Sequence, residues 1–338
     1  MAGSAPIPFG DYLLLERIGV GGTAEVFRAV RRGRHPGEKE VALKRLLSWL
    51  AEDSELSRLF LREVGALSRI DHPAVVQLLD HGEAGGLPYL VMPLLDGCSL
   101  RHLLQKPVGG EPEPLALVDA LWLTAQLARG LAAAHRQGIV HRDVSPSNVQ
   151  VTSQGQVLLL DFGIARVAGL ALTTQGRSLK GKWAYLSPEQ VTGGVIDGRS
   201  DLFALGSVLV ECIVGKAPFA TADRNETLLR VQTARFDGVE DLPDIVAEPL
   251  GVLLKRMLAL DPAQRPQDGD EVAAALTQLV ERVEPGAGAL LARPSLALRV
   301  SEHPPRVVAP PNAAELRGEV VTSTAQNEDV TQVRAQTA

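Results

Sequence analysis

Through most of residues 9–91 apolar and polar positions alternate, and turn residues mark Gly21-Gly22 and the stretch 33–37. That period-2 pattern predicts short antiparallel strands joined by turns. One helix interrupts them. Leu56, Leu59, Phe60, Glu63, Val64 and Leu67 recur at helical spacing, and Asp71-His72-Pro73 ends the run. From Ser99 onward the period lengthens. Leu117, Leu121, Thr124, Leu127, Ala128 and Leu131 form one stripe of a long helix over residues 115–137, with Gly138 placed to cap it. Residues 202–214 are apolar on every side, which predicts a helix buried all round, with Ser200-Asp201 as its N-cap. Two more helices fit residues 248–260 and 270–283. Beyond Glu284 the pattern dissolves into a stretch punctuated by Pro285, Pro294, Pro304, Pro305, Pro310 and Pro311, which predicts a disordered tail over residues 285–338. The insert at 106–114 is a shorter loop of the same composition.

Composition then narrows the class. With 338 residues the chain has ample material for a large core, and Lys+Arg 34 against Asp+Glu 40 leaves a net charge of -6, so no basic field is available to hold nucleic acid. Cys98 and Cys212 lie far apart in the chain with no C-x-x-C partner, which excludes a disulfide framework or thiolate metal site and suits a reducing compartment. The first 25 residues lack the basic and apolar regions of a secretory signal. The most apolar run stops at Glu211, well short of the roughly 20 residues that a membrane span needs. The expectation is a cytoplasmic protein without a membrane span.

Four motifs carry chemistry. Gly19-Val20-Gly21-Gly22-Thr23-Ala24-Glu25-Val26 places glycines where backbone N–H groups can approach phosphate oxygens. Residues 26–30 after it read as a strand, so a plain hairpin turn and a hairpin folded over phosphates are equal readings, and a dinucleotide-binding loop opening a helix is disfavoured against both. Lys44 ends the apolar strand Val41-Ala42-Leu43-Lys44, and Glu63 lies on the apolar stripe of the next helix, where a carboxylate needs a cation; Lys44 is the natural partner. The segment His141-Arg142-Asp143-Val144-Ser145-Pro146-Ser147-Asn148 follows the long helix. Asp161-Phe162-Gly163 follows an apolar strand, and Ser187-Pro188-Glu189 comes later. Any one of these could be turn chemistry, but not all of them in this order.

On these motifs residues 9–284 resemble a protein kinase of the eukaryotic-like serine/threonine class found in bacteria. The resemblance implies an α+β, two-lobed fold, with a small antiparallel-sheet N-lobe carrying one helix (residues 9–95), a larger helical C-lobe (96–284), and ATP between them. It implies Mg²⁺-dependent transfer of the γ-phosphoryl of ATP to Ser/Thr hydroxyls of protein substrates, itself included, in signal transduction. The loop from Gly19 to Val26 would cover the phosphates, Lys44 would hold the α- and β-phosphates, and Glu63 would orient Lys44. Asp143 would take or position the acceptor proton, and Asn148 and Asp161 would hold Mg²⁺. Ile18, Val26, Ala42, Met92 and Leu95 would line the adenine slot. The resemblance also gives Asp201 as the start of a buried helix and pairs Arg265 with Glu189, both structural roles.

Four positions depart from the family pattern. Ala24 replaces a glycine, Gln150 replaces an apolar residue under adenine, Ser145 stands where a lysine touches the γ-phosphate, and Lys182 stands where a threonine is usual. With only seven lysines in the chain, we read the last two together as a swap, in which Lys182 reaches back toward Asp143, Ser145 and the γ-phosphate. A scaffold that binds partners without catalysis is the alternative, but it needs no Mg²⁺ ligands. A small-molecule kinase is disfavoured by the segment 181–189, which resembles a peptide-docking element. Arg142 and Arg166 predict an anion between them, supplied by phosphorylation of Thr173, Thr174 or Ser178. Thr322, Ser323, Thr324 and Thr331 in the tail, with Glu328-Asp329 close by, suit phosphorylation in cis and a phosphothreonine-binding partner.

Overall fold

The computed structural model describes residues 5–33, 39–105, 112–162, 182–236, 239 and 242–303. The alternating first quarter forms a six-stranded antiparallel sheet of β1 (Ile7–Phe9), β2 (Tyr12–Val20), β3 (Ala24–Arg31), β4 (Val41–Leu46), β5 (Asp80–Ala84) and β6 (Leu87–Pro93), in the order β1-β2-β3-β4-β6-β5. Its period-2 logic is visible in neighbouring residues. Leu43 and Val91 pack with Phe9, Tyr12, Leu14 and Phe27 on one face, while Ala42, Leu90 and Met92 pack with Phe60 and Val64 on the other. The second face is covered by the single-turn α1 (Ser48–Ala51) and by α2 (Ser54–Leu67). Asp53 caps α2 by accepting from the amides of Glu55 and Leu56 at 2.9 and 3.2 Å.

The chain then crosses to a helical lobe through β7 (Gly97–Ser99) and the short α3 (Leu100–Leu103), with α4 (Leu117–Arg136), β8 (Val149–Thr152) and β9 (Val157–Leu159) following. After them come α5 (Pro188–Thr192), α6 (Gly198–Val214), α7 (Arg224–Thr233), α8 (Asp244–Met257), α9 (Gly269–Val283) and α10 (Pro294–Glu302). The architecture is a two-lobed α+β fold. Every residue of α6 from Ser200 to Cys212 is buried, as its all-round apolarity requires. Helix α9 lies so close to α4 that a Cβ on Gly269 would stand 2.3 Å from the Ala128 carbonyl oxygen. Only glycine fits that contact.

Two expectations are corrected. The N-cap of α6 is Asp197, which accepts from the Arg199 amide at 2.9 Å, and not Ser200-Asp201. Ser200 and Asp201 lie inside the first turn, where their buried side chains do other work. The stretch 285–338 is not structureless from its start. A 3₁₀ turn at Ala287–Ala289 and α10 continue the ordered body to His303. Pro294 sits at the first position of α10, where a missing N–H costs nothing, and Leu296 and Val300 make one short apolar stripe. The preceding strap is tied down by Arg293, which donates to Asp119 at 2.8 Å and to Glu284 at 2.9 and 3.1 Å. A nine-residue helix is too short to show a long amphipathic period, which is why the sequence pattern misses it. Residues 304–338, with the expected tail phosphorylation sites, lie outside the described residues.

Candidate active site

The segment between α4 and β8 that carries Asp143 has little regular structure of its own, so its shape depends on acceptors supplied elsewhere. Asp201, almost fully buried in α6, takes the His141 amide on Oδ2 and the Arg142 amide on Oδ1, both at 2.7 Å, and the His135 ring at 2.8 Å. Arg142 is thereby held at a φ of 64°, in the left-handed region that a residue with a Cβ rarely adopts. The buried His141 Nδ1 accepts the Asp143 amide at 3.2 Å, so Nε2 donates to the Leu160 carbonyl at 2.9 Å. Burial pushes the His141 imidazole below its ordinary pKa, which keeps this neutral tautomer. Leu160 N donates to the Asn148 carbonyl at 2.8 Å. These bonds join the Asp143 loop to the end of the strand that delivers Asp161.

Asn148 Nδ2 donates both to the Asp143 carbonyl at 2.7 Å and to Asp143 Oδ2 at 2.8 Å. With its amide nitrogen committed there, its carbonyl oxygen is left as the acceptor. Lys182 Nζ also donates to Asp143 Oδ2, at 2.7 Å. Asp161, at a φ of 51°, accepts from Lys44 Nζ at 2.6 Å. Burial pushes the Asp161 carboxyl up, but the Lys44 ammonium, helped by the charge of Lys182, outweighs it and holds the group below its ordinary range.

The expected Lys44–Glu63 pair is not present: among the described residues, Lys44 bonds Asp161 instead. The reason is placement. The face that α2 buries is Ser57, Phe60, Val64 and Leu67, which leaves Glu63 at its half-exposed edge, where water can carry the charge. In the hairpin, Gly21 N donates to the Ala24 carbonyl at 2.8 Å, closing a tight turn. The Glu25 carboxylate is engaged by Arg17 at 2.8 Å and Arg45 at 3.1 Å, so it braces the sheet. Ala42 and Met92 face each other across β4 and β6, and Val26 packs beside them. Gly19 is paired with Val26, while Ile18 and Val20 are exposed on the same strand, Thr23 and Leu95 are half-buried, and Gln150 sits half-buried on β8.

The far side of the site is anchored through α5. Glu189 accepts from Arg265 Nη1 at 2.8 Å and Nη2 at 2.9 Å, and from the Ser200 hydroxyl. Burial raises the Glu189 carboxyl, yet the Arg265 bonds win and hold it low. All five Arg265 donors are used, the others going to the Ala259, Leu260 and Arg199 carbonyls. Gln190 Nε2 donates to the Arg142 carbonyl at 2.9 Å, a link between α5 and the Asp143 loop that sequence reading missed. The Tyr185 hydroxyl joins Arg101 and Glu211, and Arg101 bonds Glu211 at 2.6 Å. That triad was also missed, because its members stand far apart in sequence and none has a distinctive neighbourhood. Arg166, Thr173, Thr174 and Ser178 lie outside the described residues.

The protein kinase domain family matches residues 12–279. MasK of Myxococcus xanthus, described as a tyrosine-protein kinase, is 33% identical over 300 residues, covering 86% of this chain and 46% of MasK. The serine/threonine-protein kinase PknL of Mycobacterium tuberculosis is 36% identical over 280 residues, covering 80% of this chain and 66% of PknL. This chain therefore spans about half to two thirds of the length of such relatives. Among solved structures, the PknI kinase domain of M. tuberculosis superposes with a TM-score of 0.60 at 29% identity, over 82% of this chain and 98% of that domain.

Proposed function

The chain belongs to the protein kinase family, and from that premise we propose that it transfers the γ-phosphoryl of ATP to Ser/Thr hydroxyls of proteins, itself included, as a signalling enzyme of the cytoplasm. The observation that carries the reading is the Asp143 carboxylate, fixed by Asn148 on one side and by the Asp201-held loop on the other, close to the Lys44–Asp161 pair. Phosphoryl transfer asks little covalent work of a protein; it needs a placed proton acceptor and placed cations.

The residues fit Mg²⁺ and ATP. The Asn148 side-chain oxygen and the Asp161 carboxylate are hard oxygen donors, a set that a magnesium ion completes with water and phosphate oxygens. The ion would supply charge against the phosphates. Lys44 and Asp161, which neutralise each other in this structure, would turn to the phosphates and to the metal respectively. The turn at Gly21 and Gly22 leaves room for phosphate oxygens to reach backbone N–H groups, and Ala42, Met92 and Val26 offer adenine an apolar wall, with Ile18 and Leu95 at its edges. In this reading Glu63 would be the partner that orients Lys44 once Lys44 turns from Asp161 to the phosphates. In the transfer, Asp143 takes the acceptor proton as its oxygen bonds phosphorus, and the electron pair of the broken β–γ bond leaves with ADP.

No described helix is long and apolar enough to cross a membrane. The buried free thiols of Cys98 and Cys212 support a reducing location. Protein substrates follow from the family, and a phosphothreonine-binding partner of residues 322–331 belongs to the same proposal. Incubation with Mg-ATP followed by mass spectrometry is the test. Phosphoserine or phosphothreonine is expected on the wild type, with a loss of about 10³-fold in rate in Asp143→Asn. Phosphotyrosine alone would overturn the choice of acceptor, and no transfer at all would overturn the enzyme.

A further inference from the structure

A cation on the proton acceptor is the feature that the general reading leaves unexplained. Lys182 Nζ lies 2.7 Å from Asp143 Oδ2, with both side chains largely withdrawn from water. It is also near enough to Asp161 for its charge to act on that carboxylate. The ammonium is thus bonded to one acid of the site and its charge acts on the other. Lys44 reaches Asp161 from the sheet.

The loop from Asp143 to Asn148 reads Asp-Val-Ser-Pro-Ser-Asn and supplies no cation of its own. Ser145 is almost completely buried, and its hydroxyl has no hydrogen-bond partner among the described residues. A positive charge on the acceptor side of the transferring phosphoryl group must come from another element.

Lys182 is mounted to provide it. It begins the 3₁₀ turn Trp183–Tyr185, and its carbonyl accepts the Tyr185 amide at 3.2 Å. That turn is held at both ends, Tyr185 by Arg101 and Glu211, and Trp183 by the Arg224 guanidinium 4.0 Å from its ring centroid. A flexible lysine on a clamped base delivers a point charge to a fixed place.

We propose that Lys182 is a catalytic residue, the cation that pairs Asp143 before reaction and meets the γ-phosphoryl oxygens as charge spreads onto them. This rests on the kinase reading above. The acceptor proton goes to Asp143, the acceptor oxygen bonds phosphorus, and the β–γ bridging oxygen departs on ADP with its electron pair. Charge that acts chiefly in the transition state raises kcat more than it lowers KM.

The test is steady-state transfer to a protein acceptor with Mg-ATP, reading kcat and the KM for ATP, with melting temperature alongside. Lys182→Met should lower kcat by about 100-fold or more while KM moves by less than about threefold. Lys182→Arg, which keeps the charge and the ion pair, should stay within about tenfold of wild type. Lys182→Thr should be as impaired as Lys182→Met, and adding Ser145→Lys should recover at least about tenfold, a rescue that a merely structural role would not produce. An active wild type whose Lys182→Met kcat lies within about threefold overturns this inference alone, as does a double variant no better than Lys182→Thr. A wild type inert toward every protein acceptor overturns the kinase reading and this inference with it.

Discussion

Below the cleft, the loop carrying Asp143 hangs from Asp201, whose oxygens take two backbone amides and a histidine ring inside the core. Above it, Lys44 has one ion pair among the described residues, to a carboxylate that is 41% exposed, and Glu63 stands half in water. The difference is one of cost. A buried carboxylate with three donors cannot leave without stranding them, whereas a single ion pair at the cleft can exchange one partner for another. The lower half of the site is thus preorganised and the upper half adjustable. That division suits a reaction whose donor must enter and leave between the lobes while the proton acceptor stays fixed.

The contrast can be broken by substitution. The largest effect is expected from Asp201→Ala, which leaves two buried amides and the His135 ring without their acceptor. Urea unfolding should report a loss of about 3 kcal/mol or more, and transfer should fall with it as Arg142 relaxes from its positive φ. A next, smaller effect comes from acid. Because Arg265 holds the folded Glu189 carboxyl below its unfolded value, its stabilisation is complete above about pH 4.5 and drains away as pH falls through the lower, folded value. Wild-type stability should therefore drop between about pH 5 and pH 3, and Glu189→Gln should drop less steeply over that interval while being less stable at neutral pH. Equal slopes would mean that the pair contributes nothing to folding.

The smallest effect on stability is expected above the cleft. Lys44→Met should change unfolding free energy by less than about 1 kcal/mol and yet abolish phosphoryl transfer. A destabilisation as large as that of Asp201→Ala would erase the distinction between the halves. Transfer at the wild-type rate would remove Lys44 from the reaction.

Strand alternation, the stripe of α4 and the all-round apolarity of α6 were legible because each is a local period that burial imposes on consecutive residues. The site motifs were legible for a related reason, since Asp143 and Asn148 act across five positions of one loop. Periodicity thus determines the strands and helices, while the two-lobed α+β arrangement and the residues around Asp143 followed from the family resemblance of the motifs. Which charges pair is another matter. Lys182 was expected beside Asp143 because both Ser145 and Lys182 depart from the family pattern, but Lys44 and Asp161 are 117 positions apart, and nothing local distinguishes Asp161 from Glu63 as the partner of Lys44. Helix α10 and its Arg293 anchor were hidden in the same way, because their stability comes from Asp119, Glu284 and the surface of the helical lobe and not from any repeat of their own. Only tertiary structure decides such pairings, because a charge selects its partner by distance and by exclusion of water, and both exist only once the lobes have packed.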